Sequence, residues 1–229
     1  MRLILFDVDG TLLLARGAGR RALAAALHGV YGTAGDIERY DLRGQTDQRI
    51  VFDVMEGAGL DREVIRQRLG DCFEAYARGL LAEIGDGRGV VTLPGIADLV
   101  RRLAAEADSL MGLLTGNIEA GARIKLTPTG LWPYFRLGAY GSDHLDRRQL
   151  PSLAAQRAQA LVGHGFRPEE VLVIGDTPRD IECARHFGAV AVAVATGQHS
   201  SEELEAARPD LLFADFSDVD AAVSKFLSR

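Results

Sequence analysis

The chain has 229 residues, 47% of them hydrophobic and 25% charged, with a formal net charge of −6. That composition describes an ordinary globular protein and excludes a disordered chain. It also excludes a membrane-embedded one, since no apolar run approaches the ~20 residues a bilayer span needs. No basic block is present, which argues against nucleic-acid partners but leaves room for a small phosphate in one local cationic pocket. After Arg2 the opening apolar stretch is short and ends in acids, unlike a signal peptide. Cys72 and Cys183 stand far apart in helix-like segments, so a reducing, cytoplasmic setting is expected rather than a disulfide framework or zinc site.

The first element is a predicted buried strand, Leu3–Phe6. From about Gly19 to Ala82 only helical patterns follow: Leu23, Leu27, Val30 and Tyr31; Ile50, Val51 and Val54; then Ile65, Leu69, Cys72, Phe73, Tyr76 and Leu80. Beyond them, apolar runs at Leu110–Leu114, Leu137–Tyr140, Val171–Ile174, Val190–Val194 and Leu211–Phe213 read as strands. Helical spacing lies between and after them, at Ile96, Leu99, Val100 and Leu103, at Leu153, Ala160 and Leu161, at Ile181 and Ala184, and at Val219, Val223 and Phe226. Continuous apolar strands alternating with helices predict an α/β fold, a Rossmann-like parallel sheet covered by helices on both faces. The helical block after the first strand reads as an inserted all-helical cap. The expected division is a core of residues 1–15 and 88–229 and a cap of residues 16–87. Glycines in the connectors Leu14–Gly19 and Gly85–Gly89 suit them to act as hinges.

In open α/β sheets, ligands sit beyond the carboxyl ends of the strands. Four polar clusters fall there: Asp7-Val8-Asp9-Gly10-Thr11, Thr115-Gly116-Asn117, Asp143 through Pro151, and Gly175-Asp176-Thr177-Pro178-Arg179-Asp180. Asp7, Asp9, Asp176 and Asp180 gather the hard oxygen donors that magnesium prefers. Thr115 offers a hydroxyl, and Gly116 and Asn117 offer backbone amides, suited to phosphate oxygens. Arg147 or Arg148 brings a fixed cation, which a carboxylate nucleophile facing a dianionic phosphate requires.

The motif Asp7-x-Asp9-Gly10-Thr11, with Thr115, a basic residue at 147–148 and Gly175-Asp176-x-x-x-Asp180, resembles the haloacid dehalogenase-like (HAD) superfamily over essentially the full chain. The resemblance implies that Asp7 attacks phosphorus and forms an aspartyl-phosphate, while Asp9 protonates the leaving alcohol and then activates water. It implies that Thr115 and the basic residue hold the phosphate. It further implies that Asp7, Asp176 and the backbone carbonyl of Asp9 bind Mg2+, with Asp180 in support. Dehalogenating members lack the second acid, so Asp9 favours phosphoester chemistry. The expected activity is hydrolysis of a small phosphorylated metabolite. A phosphomutase, a phospho-Asp signalling protein and a non-catalytic binder of phospho-ligands are the alternatives.

Two segments are less regular. The family's third motif usually carries lysine, but Lys125 and Lys225 are the only lysines here. Lys125 lies ten positions after Thr115 on a predicted helix, which at ~1.5 Å per residue places it ~15 Å from the strand end. Asp146-Arg147-Arg148-Gln149-Leu150-Pro151 is therefore preferred, with Arg147 favoured slightly over Arg148. In the helical block, Leu42-Arg43-Gly44-Gln45-Thr46-Asp47 resembles the Gly-x-Thr-Asp cap motif of phosphoglycolate phosphatase-like members, which nominates Gly44 and Thr46 for substrate binding. The same residues also read as a helix N-cap, and both readings can hold.

Overall fold

The computed structural model describes residues 1–228. In chain order the strands are β1 (Arg2–Phe6), β2 (Leu13–Leu14), β3 (Val91–Thr92), β4 (Ser109–Leu114), β5 (Gly138–Ala139), β6 (Val171–Gly175), β7 (Val190–Val194) and β8 (Leu211–Phe213). The helices are α1 (Ala18–Tyr31), α2 (Asp47–Gly57), α3 (Arg62–Gln67), α4 (Leu69–Ile84), α5 (Ile96–Ala104), α6 (Glu119–Leu126), α7 (Leu150–Val162), α8 (Pro178–Phe187), α9 (Ser201–Ala206) and α10 (Val219–Leu227).

Six strands form one parallel sheet in the order β5-β4-β1-β6-β7-β8. The strand period of two splits its side chains between two apolar layers. Leu3 and Leu5 face α7, α8 and α9, whereas Ile4 and Phe6 face the layer containing α5, α6 and α10. Each of these four residues is fully buried, and burying one such side chain contributes about 2 kcal/mol. All six expected core strands are present, although the third shortens to Gly138–Ala139. Its predicted last residue leaves the ladder because the Tyr140 amide donates instead to the Asp143 carboxylate, at 2.8 Å.

The segment between β2 and β3 is helical, as its spacing predicts. Its third pattern divides into α3 and α4 at Arg68. The Tyr31 hydroxyl donates to the Ile65 carbonyl at 3.0 Å, taking up the acceptor that a continuous helix would offer to the Leu69 amide. Sequence reading missed the ribbon beneath this block: Leu13 and Leu14 pair antiparallel with Thr92 and Val91. The two chain crossings are thereby tied together, and the expected glycine connectors begin beyond that tie. The block also lacks a separate core. Leu27, Val51, Met55 and Leu80 belong to the same buried cluster as Ile4 and Phe6. No helix among the described residues is long and apolar enough to cross a membrane.

Because β1 lies between β4 and β6, the polar clusters following these three strands emerge side by side. That adjacency places the site.

Candidate functional site

Asp7 follows β1 directly, and its amide extends the sheet by one bond, to the Ile174 carbonyl at 2.9 Å. The chain then curls, with the Val8 carbonyl accepting from the amides of Leu12 and Leu13 at 2.9 and 3.1 Å. Gly10 has φ +83, and a Cβ there would stand 2.3 Å from Asp176 Oδ2, so the turn requires glycine twice over. On the far side, Thr177 caps α8 and Asp180 closes its capping box, receiving the Thr177 amide at 3.0 Å and its hydroxyl at 2.7 Å.

The carboxylates of Asp7, Asp176 and Asp180 converge: one oxygen from each lies within 4.8 Å of the others, and all three residues are buried. Against these three anions stands one guanidinium. Arg147 Nη2 lies 2.5 Å from Asp180 Oδ1 and 3.3 Å from Asp7 Oδ1. Burial opposes its charge, yet Asp180 and Asp7 together hold the Arg147 pKa above its ordinary value. Burial pushes Asp7 up to about 6 despite Arg147, and burial with the neighbouring Asp180 and Asp7 raises Asp176 well above the usual carboxylate range. Uncompensated negative charge on hard oxygen donors is what a divalent cation neutralises, so the residues fit a metal. Asp7 and Asp176 are the better-placed donors, because both Asp180 oxygens are already engaged by Thr177 and Arg147. The Asp9 backbone carbonyl accepts no hydrogen bond among the described residues.

Asp9 is more open, with 44% of its side chain exposed. Its Oδ2 receives Lys125 Nζ at 2.6 Å and Asn117 Nδ2 at 2.8 Å. Lys125 also donates to Asn117 Oδ1 at 2.6 Å, so one of its three N–H groups is left for another acceptor. The sequence reading had set Lys125 aside, and the structure reverses this. A straight count of helix rise missed two facts: α6 begins only at Glu119, and helical side chains point back toward the N-terminus. Lys125 therefore reaches back along α6 to the strand end. Its rarity was the available signal, since only two of the 26 basic residues are lysine.

The remaining nominated residues divide. Thr115 is fully buried, and its hydroxyl accepts from the Asn117 amide and side chain at 3.3 and 2.8 Å, leaving its own proton to donate. Asn117 contributes its side chain to Asp9 rather than a free amide to a ligand. Gly116 lines the cavity, pressed so close to the helical block that a Cβ would meet the Gln45 carbonyl at 1.8 Å. Arg147 is in the site, whereas Arg148 is exposed and paired with Asp146 at 2.8 Å and Glu182 at 3.6 Å. The intervening turn directs these consecutive side chains to opposite sides, so Arg148 is not among the residues the fold gathers. Gly44, at φ +65, brings its loop against Thr177 and Arg179. The Thr46 hydroxyl is committed to structure. It accepts from the Arg49 amide at 3.1 Å and donates to the Leu145 carbonyl at 3.0 Å.

Asp47, buried beside Thr46 and read from sequence as the end of the cap motif or as a helix N-cap, performs a related task. Its carboxylate accepts from the Ile118 amide at 2.8 Å, and its own amide donates to the Gly116 carbonyl at 2.7 Å. These bonds clasp the helical block to the loop after β4. Burial raises the Asp47 pKa from 3.8 to about 6, with Lys125 and the Ile118 amide opposing. Between those two values the folded state binds more protons than the unfolded one, so stability falls as pH rises through the interval and stays lower above it. Asp47→Asn keeps an acceptor for Ile118 without the buried charge. Thermal melts should show it more stable than the parent at pH 8, by at most about 3 kcal/mol, with the difference vanishing below pH 4.

Asp7, Asp9, Thr115, Lys125, Arg147 and Asp176 open onto one cavity of about 680 Å³ between the sheet and the helical block. The HAD-hydrolase-like family model matches residues 151–219. A phosphoglycolate phosphatase from Synechococcus elongatus is 31% identical, with all of both chains aligned. A probable phosphatase from Dickeya dadantii is 25% identical, covering 98% of this chain and 94% of the relative. Among solved structures, CbbY from Rhodobacter sphaeroides in complex with phosphate superposes with a TM-score of 0.70 at 22% identity, covering 96% of each chain. The β-phosphoglucomutase from Clostridium difficile superposes with a TM-score of 0.69 at 16% identity over all of both chains, which speaks for shared architecture alone.

Proposed function

The chain belongs to the HAD-like hydrolase family and is a phosphatase, and from that premise we propose that it hydrolyses a small phosphomonoester in a magnesium-dependent reaction through phosphorylated Asp7. The observation that carries this reading is the meeting, in one cavity, of Asp7, Thr115 and Asp176 from three adjacent strand ends with the Asp9–Lys125 pair.

In the first step an Asp7 carboxylate oxygen attacks phosphorus while the bond to the leaving oxygen breaks. Asp9 donates a proton to that oxygen, and the alcohol departs. In the second, Asp9 takes a proton from water as the water oxygen attacks phosphorus, and the Asp7–phosphorus bond breaks to release orthophosphate and restore both acids. Lys125 and Asn117 both bind Asp9 through Oδ2, leaving Oδ1, which has no partner among the described residues, for proton transfer. The free N–H of Lys125 and the Thr115 hydroxyl serve the phosphate oxygens. Arg147 holds Asp7 and Asp180 in place instead. Asp7, Asp176 and the Asp9 carbonyl would hold Mg2+, with Asp180 supporting through Arg147. When bound, the metal supplies positive charge that offsets the crowding of a dianionic phosphate against the acids. The helical block of residues 16–87 acts as the cap over this chemistry.

Phosphate release from p-nitrophenyl phosphate tests the reading. Turnover should vanish in EDTA and return on adding excess MgCl2. Metal-independent turnover would contradict it. Added Mg2+ should also raise the melting temperature, by a stabilisation of about 3 kcal/mol at a hundredfold excess over its dissociation constant.

A further inference from the structure

The loop after β7 reaches the buried acids although it brings no acid of its own. The Ala195 amide extends the β7–β8 ladder to the Phe213 carbonyl at 2.9 Å, and Ser200 caps α9 by accepting the Glu203 amide at 3.3 Å, so both ends of the loop are fixed. Between them, the Thr196 hydroxyl donates to the Gly10 carbonyl at 2.7 Å, across 186 positions of chain. Gly197 follows and lines the cavity. A Cβ on Gly197 would stand 2.6 Å from Asp176 Cγ, and its three nearest atoms would all belong to Asp176. A Cβ on Gly10 would stand at the same 2.6 Å, so the carboxylate is packed against two backbones at once. That packing matters because Asp176 has no cation of its own. Arg147 pairs with Asp7 and Asp180, and the one hydrogen bond the Asp176 carboxylate receives among the described residues comes from the Thr11 hydroxyl, at 3.2 Å.

We propose that Thr196 and Gly197 are positioning residues for the metal: Gly197 leaves the space that lets the Asp176 carboxylate face the other acids, and Thr196 clamps the Asp9-Gly10-Thr11 turn to the same loop. The inference rests on the magnesium-dependent reading above and adds two residues that act through Asp176 and the turn. Three like charges gathered together repel one another, so an unrestrained Asp176 side chain would rotate away about its own bonds. Packing against the two glycines removes that freedom, and the donors are assembled when the chain folds rather than when the cation binds. The turn is fixed in the same way. The Gly10 amide donates to the Leu13 carbonyl at 2.9 Å, and across a trans peptide the Asp9 carbonyl then points to the opposite side. The Thr196 hydroxyl fixes the next peptide, so both peptide planes around Gly10 are held and the Asp9 carbonyl keeps one direction. The β7 loop thereby joins the carbonyl donor that follows β1 to the carboxylate donor that follows β6.

Melting temperature followed against MgCl2 concentration gives the Mg2+ dissociation constant without any turnover. The Gly197 backbone lies outside the left-handed region, so alanine suits it and the added methyl acts on the Asp176 carboxylate. In Gly197→Ala the constant should rise about 10- to 100-fold, the usual cost of disturbing a group that orients a metal donor. Thr196→Val keeps the shape and loses the hydroxyl, and its constant should rise about tenfold, whereas Thr196→Ser should return it to the parent value. Melting curves in EDTA establish that each variant is folded. Where Gly197→Ala does not fold, the valine and serine pair decides alone. An unchanged constant in folded Gly197→Ala, or equal constants in the valine and serine variants, overturns the inference and leaves the magnesium-dependent reading intact. A parent protein whose melting temperature does not respond to MgCl2, and which turns over p-nitrophenyl phosphate in EDTA, overturns that reading and the inference with it.

Discussion

Replacement of Asp7 by Asn is expected to slow phosphate release from p-nitrophenyl phosphate by at least about 10³-fold while melting no lower than the parent. The amide nitrogen and oxygen occupy the carboxylate's place, but neither is an adequate nucleophile toward phosphorus. The fold tolerates the change because Asp7 is one of three buried carboxylates held within 4.8 Å, with Arg147 as their shared guanidinium. Removing one anion relieves like-charge crowding and leaves Arg147 paired with Asp180 at 2.5 Å. A parent-like rate in a folded Asp7→Asn protein would remove Asp7 as nucleophile. A lost rate accompanied by a collapsed melting curve would report on stability and require the inactive protein to be tested for substrate binding.

Lys125→Met is expected to cost about 10²–10³-fold in kcat, the scale seen when one preorganised donor to developing charge is removed. Met keeps the volume of the stem and removes the ammonium. Asp9 is 44% exposed and can be rehydrated, so the variant should remain folded. Lys125→Arg is expected to rescue poorly, because a planar fork cannot replace an ammonium set between Asp9 and Asn117 at 2.6 Å each. Arg147→Met supplies the contrast. It strands Asp7 and Asp180 in a buried site, and breaking such a pair costs about 3 kcal/mol or more of stability. Steady-state kinetics beside thermal melts separate the two cations: kcat falls first in the lysine variant, melting temperature first in the arginine variant. Equal kinetic effects without loss of stability would put both at the phosphate.

The parallel sheet was legible because its strands are continuous apolar runs and each ends in chemistry-bearing residues. Asp7, Thr115 and Asp176 could be nominated from that pattern, and Arg147 or Arg148 from the segment Asp146–Pro151 ahead of the next predicted helix. The weaker readings came where a residue's partner lies far along the chain. Arg148 was kept beside Arg147 because a linear motif does not state which of two adjacent side chains turns inward. Thr46 was nominated for substrate, yet its hydroxyl is engaged by Arg49 and Leu145. Thr196 and Gly197 follow a strand end that carries no acid, and only the fold sets them against Gly10 and Asp176.

The sequence by itself determined the α/β class, the inserted helices and the acids at the strand ends, because apolar periodicity and turn chemistry are local properties. The tertiary structure alone decided which cation serves which acid. Lys125 meets Asp9 across 116 positions of chain, and Arg147 meets Asp180 across 33. Such meetings depend on where helices start, how side chains lean and how far they reach. Differences of a few ångströms decide them, and no periodicity in the sequence records those differences.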